Sequence, residues 1–202
     1  MPTKTRAKAK SEGEKPKPAR GLRADAERNR RLVLEVAREV FASEGLDVPI
    51  DEIARRAGLG VGTLYRHFAT KEALFEAILV DRIDSMTKAA EDLAKADDPG
   101  DALFTFFEKF VAESPKKKDL AHALHDTLPD RTAFMAAKKA LYVAVEALRV
   151  RAQKAGAIRA DVTTTDMFVL FRGLLSGTDG DEKTRARHFA IVCDGLRHRP
   201  RR

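Results

Sequence analysis

The 202-residue chain has one cysteine, Cys193, no tryptophan and only two tyrosines. A single thiol cannot close an intramolecular disulfide or build a Cys-rich zinc module, and it fits a reducing compartment, for which the cytoplasm is the expectation. No run approaches the ~20 apolar residues of a membrane span, and the basic N-terminus lacks the apolar stretch of a signal peptide. The chain is therefore expected neither to cross a membrane nor to be exported through one. Sustained period-2 alternation is missing as well, which leaves an all-α fold. Also absent are GxSxG, a Walker loop, HExxH and the ExxH pairs of di-iron bundles, so neither catalysis nor a cofactor is expected.

What the chain has in quantity is charge. Charged residues make up 34% and hydrophobic residues 44%, enough apolar mass for a core beneath a heavily charged surface. The formal net charge of +7 is unevenly placed. Residues 1–31 carry eleven Lys and Arg against Glu12, Glu14, Asp25 and Glu27. The last six residues add Arg197, Arg199, Arg201 and Arg202 without an acid, and the stretch between the two ends is mildly acidic. Residues 1–24, rich in Lys, Ala, Pro and Ser, bury too little to offset the entropy of ordering and are expected as a disordered basic arm. Residues 197–202 form a basic tail.

The remainder reads as roughly nine helices. Val33, Val36, Ala37, Val40 and Phe41 make an amphipathic stripe from about Asp25 that Gly45 ends. Short helices follow over Ile50–Ala57 and from Val61, and a longer one starts after Thr70, a plausible N-cap, with Leu74, Ile78, Ile83 and Met86 on its buried side. The run Asp97-Asp98-Pro99-Gly100 stops it. A Phe-rich stripe (Phe104, Phe106, Phe107, Phe110), a short helix over Leu120–Leu128 and a long one from Phe134 to Gly156 come next. Thr163 with Asp166 three residues on resembles a capping box. It opens a helix that Gly177 and Gly180 separate from the last one, which carries Phe189, Ile191, Val192 and Leu196.

Within this pattern, Ile50 to Phe68 (IDEIARRAGLGVGTLYRHF) has the spacing of a helix-turn-helix. Two steeply crossing helices need a small residue where they touch, supplied by Ala54, and the tight turn needs one that tolerates positive φ, supplied by Gly58. Ile53, Ala57, Leu59, Val61, Leu64 and Phe68 then fall inward. Gly62, Thr63, Tyr65, Arg66 and His67 face outward, a small, polar, aromatic and cationic surface without an acid, as entry into a major groove requires. Each also has a plainer reading: Tyr65 as a core aromatic, His67 as a solvated histidine, Arg66 as an exposed helix charge.

The stretch GTLYRHFATKEALFEAIL resembles the recognition helix and the start of the following helix in the TetR family of transcriptional regulators. With FASEGLDVPIDEIARRAGLG before it, the resemblance spans about Arg28 to Val80. It implies phosphate contacts at Thr63, Tyr65, His67 and Lys71, the last at a helix N-terminus that itself attracts anions. The fork of Arg66 suits a base edge, and Gly62 permits close approach. Two positions depart from the family pattern: Pro49 and Gly60 stand where side-chain caps usually precede the second and third helices. The segment from Asp47 to Phe75 is itself neutral, four cations against four acids. Specific reading therefore falls to a few side chains, and affinity to the arm, through phosphates or the minor groove.

These readings give a helix-turn-helix DNA-binding domain over 25–72 and a helical effector-binding and dimerisation domain over 73–196. A single helix-turn-helix reads too few base pairs, so a homodimer on a palindromic double-stranded operator is expected. The resemblance places that interface on the helices near 163–177 and 182–196, after the AIRADVTTTD link. It also implies a small-molecule effector among residues 101–155, where Phe106, Phe107, Phe110, His122, His125 and Tyr142 combine apolar walls with few polar anchors. Ordinary core packing explains the phenylalanines equally. Asp119, His122 and Asp126, with His125 adjacent, would suit a metal, but exposed helix charge explains them as well and no metal is expected. Cys193 reads as a small buried apolar residue. The combined expectation is a ligand-responsive repressor, against the alternative of a sequence-nonspecific architectural protein that binds DNA through its basic ends.

Overall fold

The computed structural model describes residues 19–112, 132–177 and 182–198. Among them are eight helices: α1 (Ala19–Glu44), α2 (Ile50–Arg56), α3 (Val61–His67), α4 (Lys71–Leu93), α5 (Pro99–Ala112), α6 (Thr132–Lys154), α7 (Thr164–Gly177) and α8 (Glu182–Leu196). The fold is all-α, as the missing alternation requires. The short helix expected over Leu120–Leu128 lies outside the described residues, as do most of the basic arm and the last residues of the tail. α1 begins at Ala19 rather than near Asp25. Once its core-anchored turns are nucleated, the preceding Ala- and Arg-rich residues propagate the helix at little cost.

Two hydrophobic cores organise the chain. The first gathers the α1 stripe around Val33, Ala37 and Phe41 with Ile53 and Ala54 of α2, Leu64 of α3, and Leu74, Phe75 and Ile78 of α4. In the second, Met86 and Ala90 of α4 meet Phe106 and Phe107 of α5, Val145 and Leu148 of α6, Met167 and Phe171 of α7, and Leu196 of α8. Among the described residues, α4 alone contributes buried side chains to both cores.

The breaks and starts have local causes. Thr70 accepts a hydrogen bond from the Ala73 amide at 3.1 Å and caps α4. Asp98 does the same for α5 through the Asp101 amide at 2.9 Å, with Pro99 at the first helical position, where its missing N–H costs nothing. The expected capping box of α7 is present in both directions: the Thr163 amide donates to Asp166 Oδ2 at 2.9 Å and the Asp166 amide to Thr163 Oγ1 at 3.1 Å. The Thr163 hydroxyl also donates to Asp166 Oδ2 at 2.7 Å, and this bond first, then the one from the Thr163 amide, holds the Asp166 carboxyl below its ordinary range.

Two polar locks fix the second core to its neighbours. The Arg151 guanidinium, from α6, donates to the carbonyls of Ala94 and Ala96, the latter at 2.9 Å. It thereby satisfies carbonyls that a helix C-terminus leaves without partners and places a cation at the negative end of the α4 dipole. The other lock centres on Thr164, a residue 1% exposed, whose hydroxyl donates to the Glu146 carboxylate. Arg149 donates to Glu146 and, through Nε at 3.1 Å, to Thr164. Gln153 Nε2 donates to the carbonyls of Arg159, Ala160 and Val162 at 3.0, 3.2 and 2.9 Å. Arg149 and the Thr164 hydroxyl hold the Glu146 carboxyl down at about 2. The start of α7 and the loop before it are thus tied to α6 through a network in which buried polar atoms are satisfied.

Candidate nucleic-acid interface

The turn between α2 and α3 closes with two hydrogen bonds. The Leu59 amide donates to the Ala54 carbonyl at 3.0 Å and the Gly58 amide to the Arg55 carbonyl at 3.1 Å, with Gly58 at φ 66°. This is a Schellman closure, and its left-handed position is the reason a glycine stands there. Ala54 has no solvent exposure, consistent with a close helix crossing. Pro49 and Gly60 occupy the cap positions in extended backbone and give no side-chain cap.

α2 is fastened instead by charge. Arg55 grips Glu52 with two hydrogen bonds at 2.7 and 2.6 Å. Arg56 donates to Glu52 at 2.7 Å and also pairs with Glu44 at the end of α1. The two guanidiniums bring the Glu52 carboxyl to about 2. Both arginines of α2 are therefore paired with acids, whereas Arg66 of α3 and Lys71 at the start of α4 form no salt bridge among the described residues.

On α3, burial is confined to Leu64, with Phe68 following it at the C-cap. Gly62, Tyr65 and Arg66 are exposed, while Thr63, His67 and Lys71 are half-buried. Val61, expected inward, is 40% exposed; with only Leu64 and Phe68 anchored, the first turn of α3 overhangs the core. Arg66 folds along its own helix, donating to the Gly62 carbonyl at 3.2 Å and reaching the Thr63 hydroxyl at 3.4 Å. The Lys71 ammonium sits 5.9 Å from the centroid of the Phe75 ring, at the positive end of α4. The outward set is thus assembled as one surface running from the first turn of α3 to the N-terminus of α4.

One neighbour was not legible from spacing. Asp51, in the first turn of α2, lies near the Tyr65 hydroxyl; partial burial first, then the Asp51 carboxylate, raise the phenol's pKa.

The residues expected around an effector are distributed differently. Phe106 and Phe107 have no solvent exposure. Phe107 stacks on Phe171 at 3.9 Å between centroids, interplanar angle 11°. The aromatic cluster then grades outward through Phe110 and Phe168 to Tyr142, which lies 6.2 Å from Phe168 and whose hydroxyl is 3.3 Å from that of Thr165. A cavity of about 500 Å³ opens beside this cluster, lined by Glu108, Val111, Ala112, Glu182, Arg185 and Phe189. His122 and His125 lie outside the described residues, together with Asp119 and Asp126. Among the described residues no group of three or more His, Cys, Asp or Glu could hold a metal. Cys193 is 5% exposed, and burial pushes its thiol up to about 11, which leaves it protonated and unreactive at neutral pH.

Known proteins divide at the same place as the two cores. Residues 33–78 match the family described as bacterial regulatory proteins, tetR family, and residues 98–198 match the C-terminal domain of SbtR-like transcriptional regulators. A solved TetR transcription regulatory protein from Mycobacterium vanbaalenii is 42% identical, with a TM-score of 0.72 over 87% of this chain and 99% of that one. The chain belongs to the TetR family. A second member of known structure, SCO0520 from Streptomyces coelicolor, is 32% identical over 85% of this chain and 99% of that one, TM-score 0.70. An HTH-type transcriptional regulator of Staphylococcus aureus is 38% identical over 74 residues, which are 35% of this chain and 38% of that relative. The likeness to that relative covers little more than a third of its length. As a TetR-family member the chain is a DNA-binding transcriptional regulator, and no helix among its described residues is long and apolar enough to cross a membrane.

Proposed function

We propose that this regulator binds a palindromic operator as a homodimer, represses transcription there, and is released by a small-molecule effector. The observation that carries the reading is the surface formed by α3 and the start of α4. Gly62, Thr63, Tyr65, Arg66 and His67 face outward without an acid on the helix itself, and Lys71 stands at the α4 N-terminus. Thr63, Tyr65, His67 and Lys71 take phosphates, Gly62 lets the backbone approach, and Arg66 leaves its intrahelical contacts to pair with a base edge.

Support for the dimer comes from apolar side chains that α7 and α8 leave uncovered: Val169, Leu170 and Ile191 are 63%, 42% and 61% exposed. A second copy would remove them from water, gaining about 25 cal/mol per Å² of apolar surface. For the effector, the aromatic edge at Phe110, Phe168 and Tyr142 supplies stacking surface above the closed floor of Phe106 and Phe107. A ligand there favours one arrangement of the helices and the operator another, so each weakens the other's binding.

Selection of bound sequences from a random DNA pool, with light scattering of the complex, tests the core of this. A two-fold symmetric consensus held by two or more protomers is the expected result. Enrichment of no sequence, with a steep salt dependence, would favour the nonspecific architectural alternative.

A further inference from the structure

We infer that Arg30 is a further DNA-contacting residue, a phosphate clamp that α1 delivers to the C-terminal end of α3; the inference rests on the helix-turn-helix reading above. Its guanidinium lies 5.3 Å from the centroid of the Phe68 ring, and Phe68 is the C-cap residue of α3, directly after His67. A cation over an aromatic face is held without a hydrogen-bond acceptor, so its five N–H donors stay available at the edge of the ring. The neighbouring arginines of α1 are spent otherwise: Arg28 pairs with Asp25, and Arg31 with Glu27 at 3.1 Å. Arg30 has no acidic partner among the described residues.

Helical periodicity explains why it points this way. Positions 30, 33, 34 and 37 share one side of α1, and from Val33 onward that side is the buried stripe of the first core. Before Val33 the stripe outruns the core and becomes charged: it carries the exposed Arg30, Glu27, which Arg31 neutralises, and, one heptad before Arg30, the exposed Arg23. The same geometry that directs Val33 and Ala37 at the helix-turn-helix therefore directs Arg30 at its DNA-facing edge. There it shares Phe68 with His67, whose ring centroid lies 6.3 Å from that of Phe68, and Lys71 follows three residues on, at the first position of α4. An anion at this place is a backbone phosphate flanking the base pairs that α3 reads. Such a contact adds affinity and register but no base preference.

The test uses the full chain and the duplex it enriches from a random pool, with binding measured over a salt series. Arg30→Gln is expected to weaken binding roughly 3- to 10-fold and to lower the log–log salt slope by about one, with an unchanged consensus sequence. Arg30→Lys, which keeps the charge, should restore the slope. Melting followed by circular dichroism accompanies both variants. Unchanged affinity and slope in Arg30→Gln, while Tyr65→Ala and Lys71→Ala still weaken binding, would overturn the clamp and leave the helix-turn-helix reading standing. Weakened binding at an unchanged slope without rescue by Lys would assign Arg30 a structural role and equally overturn the clamp. Failure of the unaltered chain to bind any duplex would remove the helix-turn-helix reading itself, and the clamp with it.

Discussion

The two cores are held together by different means. In the first, two seven-residue helices are too short to be stable alone, and they are fixed by a glycine turn, a few buried anchors and a surface charge network. In the second, longer helices enclose stacked phenylalanines and a polar lock whose central residue, Thr164, is 1% exposed. The part that touches DNA is therefore fastened by small, separable, partly solvated contacts, and the part expected to sense a ligand by dense packing. Short elements with exposed fastenings can follow a groove without disturbing the fold, whereas a dense core passes a local insertion on to its neighbours.

Breaking the dense region should have the largest effect. Phe107→Ala removes a ring with no exposure that stacks on Phe171, and is expected to cost about 3–5 kcal/mol in denaturant unfolding. An effect below ~1 kcal/mol would mean that the aromatic cluster is loosely packed and closer to a pocket than to a core. Tyr65→Ala combined with Lys71→Ala comes next, with DNA binding weakened about tenfold or more and helicity unchanged. Unaltered affinity for all duplexes would remove these residues from the interface. Arg66→Ala should instead relax sequence preference, read by repeating the pool selection.

Thr163→Ala, which opens the reciprocal cap of α7, should cost roughly 0.5–2 kcal/mol. The contribution of Glu146 has a pH signature. Its carboxyl is depressed to about 2 from the ordinary 4.5, so the stabilisation is fully present above pH 4.5 and is lost as pH falls toward 2. Glu146→Gln should flatten unfolding stability across that window. The smallest effect belongs to the first core: Arg56→Ala loosens a solvated network, so the change in melting should be slight and should vanish at high salt. A large, salt-independent loss there would erase the contrast between the two regions.

Much of this was legible in the sequence because its causes are local. Gly58, Thr70 and the Thr163–Asp166 pair act within three or four residues, so spacing alone locates the turn and both caps. The outward set on α3 follows from helical periodicity once Leu64 is taken as the anchor. What escaped depends on residues distant in sequence. Asp51 reaches Tyr65 across the turn, Arg30 reaches Phe68 across two helices, and Arg151 reaches Ala94 from another element. Val61 was misplaced because periodicity cannot say where a helix outruns its partner. A stripe of phenylalanines reads the same whether it closes a core or lines a cavity, and only the stacking of Phe107 on Phe171 distinguishes the two.

The bond from Arg151 ties the far end of α4 to α6, so any tilt of α4 about this end is magnified at the other. Its 23 residues span about 34 Å at ~1.5 Å per residue, with one end gripped by α6 and the other bearing Lys71. A tilt of about 5° pivoting at the gripped end carries Lys71 through ~3 Å along this length. Successive phosphates on one DNA strand are separated by ~3.4 Å along the axis. A tilt of that size would therefore shift Lys71 by almost one phosphate step.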